Sequence, residues 1–419
     1  MQTANVKNET RQWFILSEKV AYASEKQKVR VVIVGAGPAG SSLAIRLALR
    51  GSKVTLIERD RFPREKLCGE FISPECFRHF EDLGLTGDLF AKGGKYITGT
   101  RFFSPSGKSV SVPTAWFGHG DAALSLSRAE MDMALLDRAR DLGVEVLEGY
   151  RVNGVEMADG RIESITFNAS NGTKGSVGGE LFVDAAGRSA ILTKLSDRVS
   201  KNVPEPARGA RLIAFKNHLY GALSDAETCE IYFFDGGYGG LSPIQGDLYN
   251  YCCIVTIDKA RDFVGKTNNC LDMAVGGNQR AKQTLSDVVT AGEWLAVPVN
   301  GFGRRRPAAI PNLVAVGDAA AFIDPFTGSG MLMALESSKL LAETIDVNDV
   351  DQGRLSKEYD RRHELKFHRR FILTSILRRA AFSPRLASAA ILGANVSSGF
   401  TEFLARTTRF GSRDTSSAR

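Results

Sequence analysis

Hydrophobic and polar positions follow two periods along the chain. Val29 and residues 31–34 form a nearly continuous β-branched run, which predicts a central strand of a parallel sheet, buried on both faces. The run enters Gly35-Ala36-Gly37-Pro38-Ala39-Gly40, after which Leu43, Leu47 and Leu49 mark an apolar helix as far as Arg50-Gly51. A second strand reads Lys53-Val54-Thr55-Leu56-Ile57 and ends at Glu58. Much later, Leu313-Val314-Ala315-Val316 forms another apolar strand. It ends in Gly317-Asp318 and continues through Asp324-Pro325-Phe326-Thr327-Gly328-Ser329-Gly330 into an apolar helix from Met331. Residues 70–124 and 190–298 lack this strand–helix rhythm. Within them, residues 229–234 and 249–255 read as strands, and residues 236–244 between them predict antiparallel sheet with glycine turns. The vicinal Cys252 and Cys253 then point to opposite faces, one buried and one not. Residues 354–385 return to a helical period, with Arg361, Lys366, Arg369, Arg378 and Arg379 interleaved with Phe367, Ile372 and Ile376. A more apolar stretch, residues 386–404, follows and is broken by Gly393 and Gly399.

Composition narrows the class. The 419 residues are 43% hydrophobic and 24% charged, which supports a large core in two or three lobes. The formal charge of +7 is too small to imply nucleic acid as a partner. Six cysteines without a CxxC, and five histidines, argue against a disulfide scaffold or a zinc-finger array and fit a reducing cytoplasm. No HExxH, GxSxG, Walker A or metal-ligand spacing occurs, so no metal is expected. Residues 1–27 read as a flexible tail with Trp13-Phe14-Ile15-Leu16 as a short docking segment, and residues 407–419 as a disordered end. The chain contains no run of about 18 apolar residues, which argues against a spanning helix.

The glycine motif has a chemical reading. Gly35 turns the chain out of the strand, Gly37 lets a pyrophosphate approach the backbone, and Gly40 lets the helix pack close to the sheet. The helix N-terminus offers free N–H groups to the anion. Glu58, 18 residues after Gly40, suits a ribose 2′-hydroxyl and disfavours a 2′-phosphate, which leaves FAD or NAD. Asp318 at the later strand end suits a ribityl or ribose hydroxyl, and Gly328 and Gly330 let backbone approach a flat ring.

Together these segments resemble the flavoprotein monooxygenase superfamily with the p-hydroxybenzoate hydroxylase fold, and within it the geranylgeranyl-reductase-like branch. Four ordered matches carry the resemblance: Phe62-Pro63-Arg64-Glu65-Lys66-Leu67-Cys68-Gly69, Ser127-Arg128 at a helix start, Val183-Asp184-Ala185-Ala186-Gly187, and residues 317–330. Two departures stand out. Ala186 replaces the family's Asp, and in Tyr238-Gly239-Gly240-Leu241-Ser242-Pro243 a glycine stands where the branch carries Trp. The resemblance implies an α/β fold: a discontinuous Rossmann-type FAD-binding domain (residues 28–75, 120–190 and 296–346), an inserted antiparallel β-sheet substrate domain (76–119 and 191–295) and a C-terminal helical region (347–406).

It also implies cofactor contacts. FAD is held by Gly35, Gly37, Ala39, Gly40, Glu58, Arg59, Arg64, Lys66, Cys68, Arg128, Val152, Gly317, Asp318, Gly328, Gly330 and Met331, with NAD(P)H as a transient reductant. Cys68, Tyr238, Pro325 and Phe326 are candidates beside the flavin, and Phe233, Tyr238, Phe326 and Trp116 candidates for an apolar pocket wall. The implied activity is an FAD-dependent monooxygenase acting on a hydrophobic aromatic or polyketide-like small molecule. Reduction of isoprenoid or polyene double bonds is the alternative, with halogenation or a non-catalytic flavin module behind it. Plainer readings stand beside these: a solvated basic loop for Arg64 and Lys66, a small buried filler for Cys68, and core packing for the aromatics. The basic C-terminal helix suits either the inner face of an anionic membrane or a packed position with a solvated basic face.

Overall fold

Strand Arg30–Val34 lies inside a six-stranded sheet whose order is 308–310, 313–315, 181–184, 30–34, 53–58, 145–148. Every pairing is parallel except that of the edge strand Ala308–Ile310. The computed structural model describes residues 29–117, 120–200, 212–261, 269–299, 301–346, 352–396 and 398–409. The tail at 1–27, with Trp13–Leu16, lies outside the described residues. Val31, Val32 and Ile33 are fully buried, as an unbroken β-branched run requires. One face of the sheet is covered by helix Pro38–Leu49, which packs on helices Arg128–Asp141 and Gly330–Thr344. The other carries a three-stranded antiparallel sheet, residues 150–178, and helix Ile191–Val199. Each fully buried Val, Leu or Ile in these layers contributes about 1.5–3 kcal/mol.

The second lobe is a larger sheet in the order 289–290, 212–220, 249–256, 237–243, 228–234, 99–103, 109–113, with Leu295–Val299 also paired to 212–220. Its pairings are antiparallel apart from 228–234 beside 99–103. Cys253 is buried and Cys252 half-buried, and Cys253 Sγ lies 2.9 Å from Cys270 Sγ. The glycine-rich piece read as antiparallel sheet with glycine turns is strand Gly237–Pro243, with its turn at Asp235-Gly236. The missing side chains are the reason: a Cβ on Gly239 would come within 2.6 Å of the Tyr251 hydroxyl, which lies across that strand.

The lobe boundaries also shift. Cys76, Phe80, Leu83 and Leu89 are buried in the first lobe's core, so the helices Phe77–Leu83 and Thr86–Ala91 belong there and not with the substrate sheet. Helix Ile191–Val199 packs on the first lobe as well, whereas Leu295–Val299 completes the second. Loss of strand–helix alternation marks where strands stop, not where helices pack. Three helices close the chain: Gln352–Ala381, Pro384–Val396 and Ser398–Arg409. Gly393 does not break its helix, because Ala387 and Ile391 are buried against the second lobe and offset its modest propensity penalty of about 1 kcal/mol. The last helix runs past the expected disordered start at 407; residues 410–419 lie outside the description. Among the described residues no helix is long and apolar enough to cross a membrane.

The long helix is fastened to the first lobe by charge. Glu336, 4% exposed, accepts from Arg78 at 2.9 Å and is 3.2 Å from His79 Nε2, and it pairs with Lys366. Arg304 binds Asp360 at 2.6 Å and Glu364 at 2.9 Å.

Candidate functional site

Two glycine contacts fuse motifs from opposite ends of the sequence. A Cβ on Gly40 would lie 1.8 Å from the Gly35 carbonyl oxygen, so nothing larger fits where the first helix leaves the sheet. A Cβ on Gly317 would lie 2.8 Å from that of Ala39, and Gly317 has φ +59. The turn after strand Leu313–Ala315 therefore rests on the first helix's opening turn. The Ser337 hydroxyl accepts from Gly317 N at 2.9 Å, and Ser42 and Ser338 share a hydroxyl contact of 2.7 Å.

Above Gly37 the space is bordered by two guanidinium groups: an added Cβ would meet only Arg64 Nη2 at 3.9 Å and Arg128 Nη2 at 4.0 Å. Fully buried Asp132 holds both, accepting from Arg64 Nη1 at 3.0 Å and from Arg128 Nε and Nη2 at 2.8 and 2.7 Å. Burial alone would lower the Arg128 pKa, but Asp132 and the neighbouring Cys68 more than offset it, so the guanidinium stays charged. Arg128 sits there because Ser127 caps its helix, accepting from Glu130 N at 3.3 Å. The first helix has Pro38 in its first turn and no acid, which leaves its N–H groups to an external anion. Arg64 Nε is buried with no hydrogen-bond partner among the described residues. An open floor, a helix N-terminus and two fixed cations fit a diphosphate.

The flanking groups fit the rest of a dinucleotide. Glu58, 6% exposed, accepts from Ala36 N at 2.8 Å and Asp60 N at 3.0 Å, which fixes the carboxylate at the strand end and leaves lone pairs for ribose hydroxyls. Arg59 is exposed beside Asp60. Lys66 is half-buried, and burial followed by the Arg64 and Arg59 charges pushes its pKa down. Burial raises the half-exposed Asp318, against the pull of Arg188, Arg128, Arg305 and Lys66 around it. Gly328, at φ +61, caps the turn Pro325–Thr327. Gly330 opens the following helix with free space over its Cα, while Met331 is buried. Val152 is placed differently: its side chain packs in the apolar layer with Val34, Ile57 and Phe182 rather than among these charges.

Cys68 lies where the two lobes are tied together. Its sulfur accepts from Glu70 N at 3.4 Å, and its carbonyl accepts from Asn250 of the substrate sheet at 3.1 Å. Fully buried Glu70 adopts φ +55, a conformation a non-glycine residue rarely takes. Three bonds hold it: Arg128 N at 2.8 Å, Lys216 Nζ at 2.5 Å and His218 Nε2 at 2.7 Å. Those partners outweigh burial and keep Glu70 ionised, while Glu70 and Glu65 keep the buried Lys216 charged. Glu65, Glu70 and His218 converge in the manner of a metal-ligand set, but Lys216 Nζ sits 2.6 Å from Glu65 and supplies the positive charge itself. Nothing local in the sequence marks this network, because its members meet only through the pairing of two lobes. Asp132 did leave a signal, standing four residues after Arg128 on one helix.

Phe233, Tyr238 and Phe326 come together, with ring centroids 5.9 Å (Phe233–Phe326) and 5.2 Å (Tyr238–Phe326) apart. Phe102 and Phe382 extend the wall, and Ala381, Ala387 and Ile391 of the C-terminal helices close it. Trp116 packs on the neighbouring cluster of Phe117 and Ala405, which shares Phe102 and Ile231 with this wall. Pro325 is exposed. The wall has one polar point: Tyr238 Oη donates to Asp324 Oδ1 at 3.2 Å, and Arg378 lies 3.7 Å from Asp324 Oδ2. Burial raises the pKa of both Tyr238 and Asp324. Asp324 and Arg378 were not read as functional from the sequence.

A parallel sheet with a diphosphate cradle at its strand ends, joined to an apolar wall on an inserted sheet, defines a dinucleotide-dependent redox protein. The FAD binding domain family model matches residues 28–347, and the chain belongs to that family; it is an FAD-dependent oxidoreductase. It is 28% identical over 345 residues to a flavin-dependent halogenase of Armillaria mellea, an alignment covering 75% of this chain and 66% of the halogenase. It is 27% identical over 351 residues to a digeranylgeranylglycerophospholipid reductase of Methanosarcina mazei, covering 80% of this chain and 81% of the reductase. A flavin-dependent brominase shares the fold, with a TM-score of 0.72 at 21% identity over 91% of this chain and 94% of the brominase.

Proposed function

We propose that this enzyme reduces a carbon–carbon double bond in an extended apolar molecule of isoprenoid or polyene type, with NAD(P)H as the source of electrons. The observation that carries the reading is the wall of Phe102, Phe233, Phe326 and Phe382, with Tyr238, Asp324 and Arg378 as its polar group. Such a wall binds hydrocarbon by burial, at about 25 cal/mol per Å² of apolar surface, and offers no set of polar groups to recognise a polar substrate. When bound and reduced by NAD(P)H, FAD would supply the hydride. The protein's part is to position the chain, exclude water and provide a proton. Tyr238 keeps its phenol protonated, because burial and the Asp324 charge disfavour the phenolate; its one hydroxyl hydrogen is donated to Asp324 Oδ1, and delivering it to the substrate requires breaking that bond. Arg64, Arg128 and the first helix would hold the FAD diphosphate, and Glu58 and Asp318 its sugar hydroxyls. The alignment with the digeranylgeranylglycerophospholipid reductase, which covers 81% of that protein, supports this reading over the halogenase likeness, which covers 66% of the halogenase.

The test is incubation with NADPH and a geranylgeranyl-chain alcohol, with and without oxygen. The expected product gains two hydrogens in both atmospheres. A product that gains one oxygen, formed only in air, would replace reduction with hydroxylation. Tyr238→Ala should depress turnover while FAD content is unchanged; loss of FAD would show that Tyr238 supports the fold instead.

A further inference from the structure

We propose that the outer surface of the three C-terminal helices docks on an anionic lipid membrane. The inner side of these helices is already used, with Ala381, Ala387 and Ile391 buried in the aromatic cluster. The outer side is apolar as well. On the long helix, Leu365, Ile372 and Ile376 share one face and are 69%, 52% and 58% exposed. On the next helix, Leu386, Leu392 and Val396 are 55%, 51% and 87% exposed, and Phe403 on the last is 62% exposed. One exposed leucine carries no meaning, but seven of the thirteen exposed large apolar side chains among the described residues lie on these three mutually packed helices, a concentration that proteins rarely leave to water.

The surrounding charge identifies the occupant. Arg369 and Arg379 on the long helix and Arg385 on the next are exposed and make no ion pair among the described residues. Helix Pro384–Val396 contains no acidic residue. The acids near the patch are engaged, Asp360 and Glu364 by Arg304, Glu358 by Arg361 and Glu402 by Arg406. An apolar face rimmed by arginine matches lipid phosphates above an acyl layer. A second copy on the same patch would set arginine against arginine, which disfavours self-association. The surface is the outside of the wall that faces the proposed substrate, so docking would place that wall beside a reservoir of hydrocarbon. The docking argument rests on exposure and charge and does not require that substrate reading.

The experiment is flotation of the full-length FAD-loaded protein with vesicles of phosphatidylcholine containing phosphatidylglycerol, and with phosphatidylcholine alone. Wild type should float with the anionic vesicles at low salt and be released by high salt. Arg369→Glu with Arg379→Glu should lower vesicle affinity about thirtyfold or more, from about fivefold per basic residue. Leu392→Glu with Val396→Glu should abolish flotation with melting temperature and bound flavin unchanged, and Ile376→Glu serves as an independent variant if that pair fails to fold. Absence of wild-type flotation at low salt, or equal flotation of the folded variants, would overturn the proposal. So would a dimer, seen by light scattering, that the Leu392 and Val396 changes dissolve. Double-bond reduction assayed in detergent stands apart: if it persists without flotation, the docking surface alone is wrong.

Discussion

The cofactor cradle and the aromatic wall, bridged by the segment from Arg64 to Leu67, have opposite chemistry. In the cradle, Arg64, Arg128 and Asp132 are buried charges that hold one another in place, and Glu58 is fixed by two backbone N–H groups. In the wall, four phenylalanines and one tyrosine pack on each other, with the Tyr238–Asp324–Arg378 contact as the polar group. The contrast follows from what each must bind. A diphosphate needs preset positive charge, which tolerates little movement; a hydrocarbon needs displaced water, which many side-chain arrangements supply. Substitutions in the cradle should therefore be severe and specific, and those in the wall milder for stability and larger for turnover.

The largest expected effect is Gly40→Val. Its Cβ would fall 1.8 Å from the Gly35 carbonyl, and we expect a loss above about 4 kcal/mol, with no flavin retained. A flavin-replete Gly40→Val protein would show that helix and sheet need not approach so closely. Asp132→Ala strands two arginines in the cradle and should destabilise the protein by about 3–5 kcal/mol in chemical denaturation.

His363 extends the comparison to pH. It is buried between Tyr359 and Phe367, and burial together with the Arg304 charge pushes its pKa down to about 3. The unfolded imidazole titrates near 6.5, so between about pH 3 and 6.5 the unfolded state holds the extra proton and stability rises with pH. The neutral ring's contribution is complete above about 6.5 and fades as pH falls toward 3, by about 2 kcal/mol at pH 5. His363→Phe should remove that slope, and an unchanged slope would place the acid sensitivity elsewhere. Asp318→Ala should weaken FAD binding roughly 10- to 100-fold, measured by flavin fluorescence, for loss of one charged hydrogen-bond acceptor. Tyr238→Phe, the smallest change, should cost about 1 kcal/mol of stability while reducing turnover far more.

The Rossmann strands and the cradle's glycines were legible because local backbone geometry dictates them: a β-branched run can be buried on two faces, and only glycine fits at Gly40 and Gly317. Arg64 and Arg128 were legible only through resemblance, and Asp132, which organises them, was passed over although it stands at helical spacing from Arg128. Antiparallel sheet was legible for residues 236–244, but not the extent of strand Gly237–Pro243, because glycine's turn preference is local whereas the room that Tyr251 needs is set by its partner strand. The Glu70–Lys216–His218 network and the Tyr238–Asp324–Arg378 contact join segments distant in the chain. No periodicity carries such information. The same limit explains Val152 and Trp116, whose hydrophobicity predicted burial but not the cluster they would join.

Rapid mixing of the reduced, FAD-loaded enzyme with a geranylgeranyl-chain alcohol under argon tests most directly that cradle and wall form one reducing site. The account predicts that the oxidised-flavin band returns at the rate at which the double bond is lost, and that Tyr238→Phe slows both together while leaving reoxidation by air unaffected. A band that stays bleached under argon and recovers only when oxygen is admitted, with the double bond intact, would contradict it.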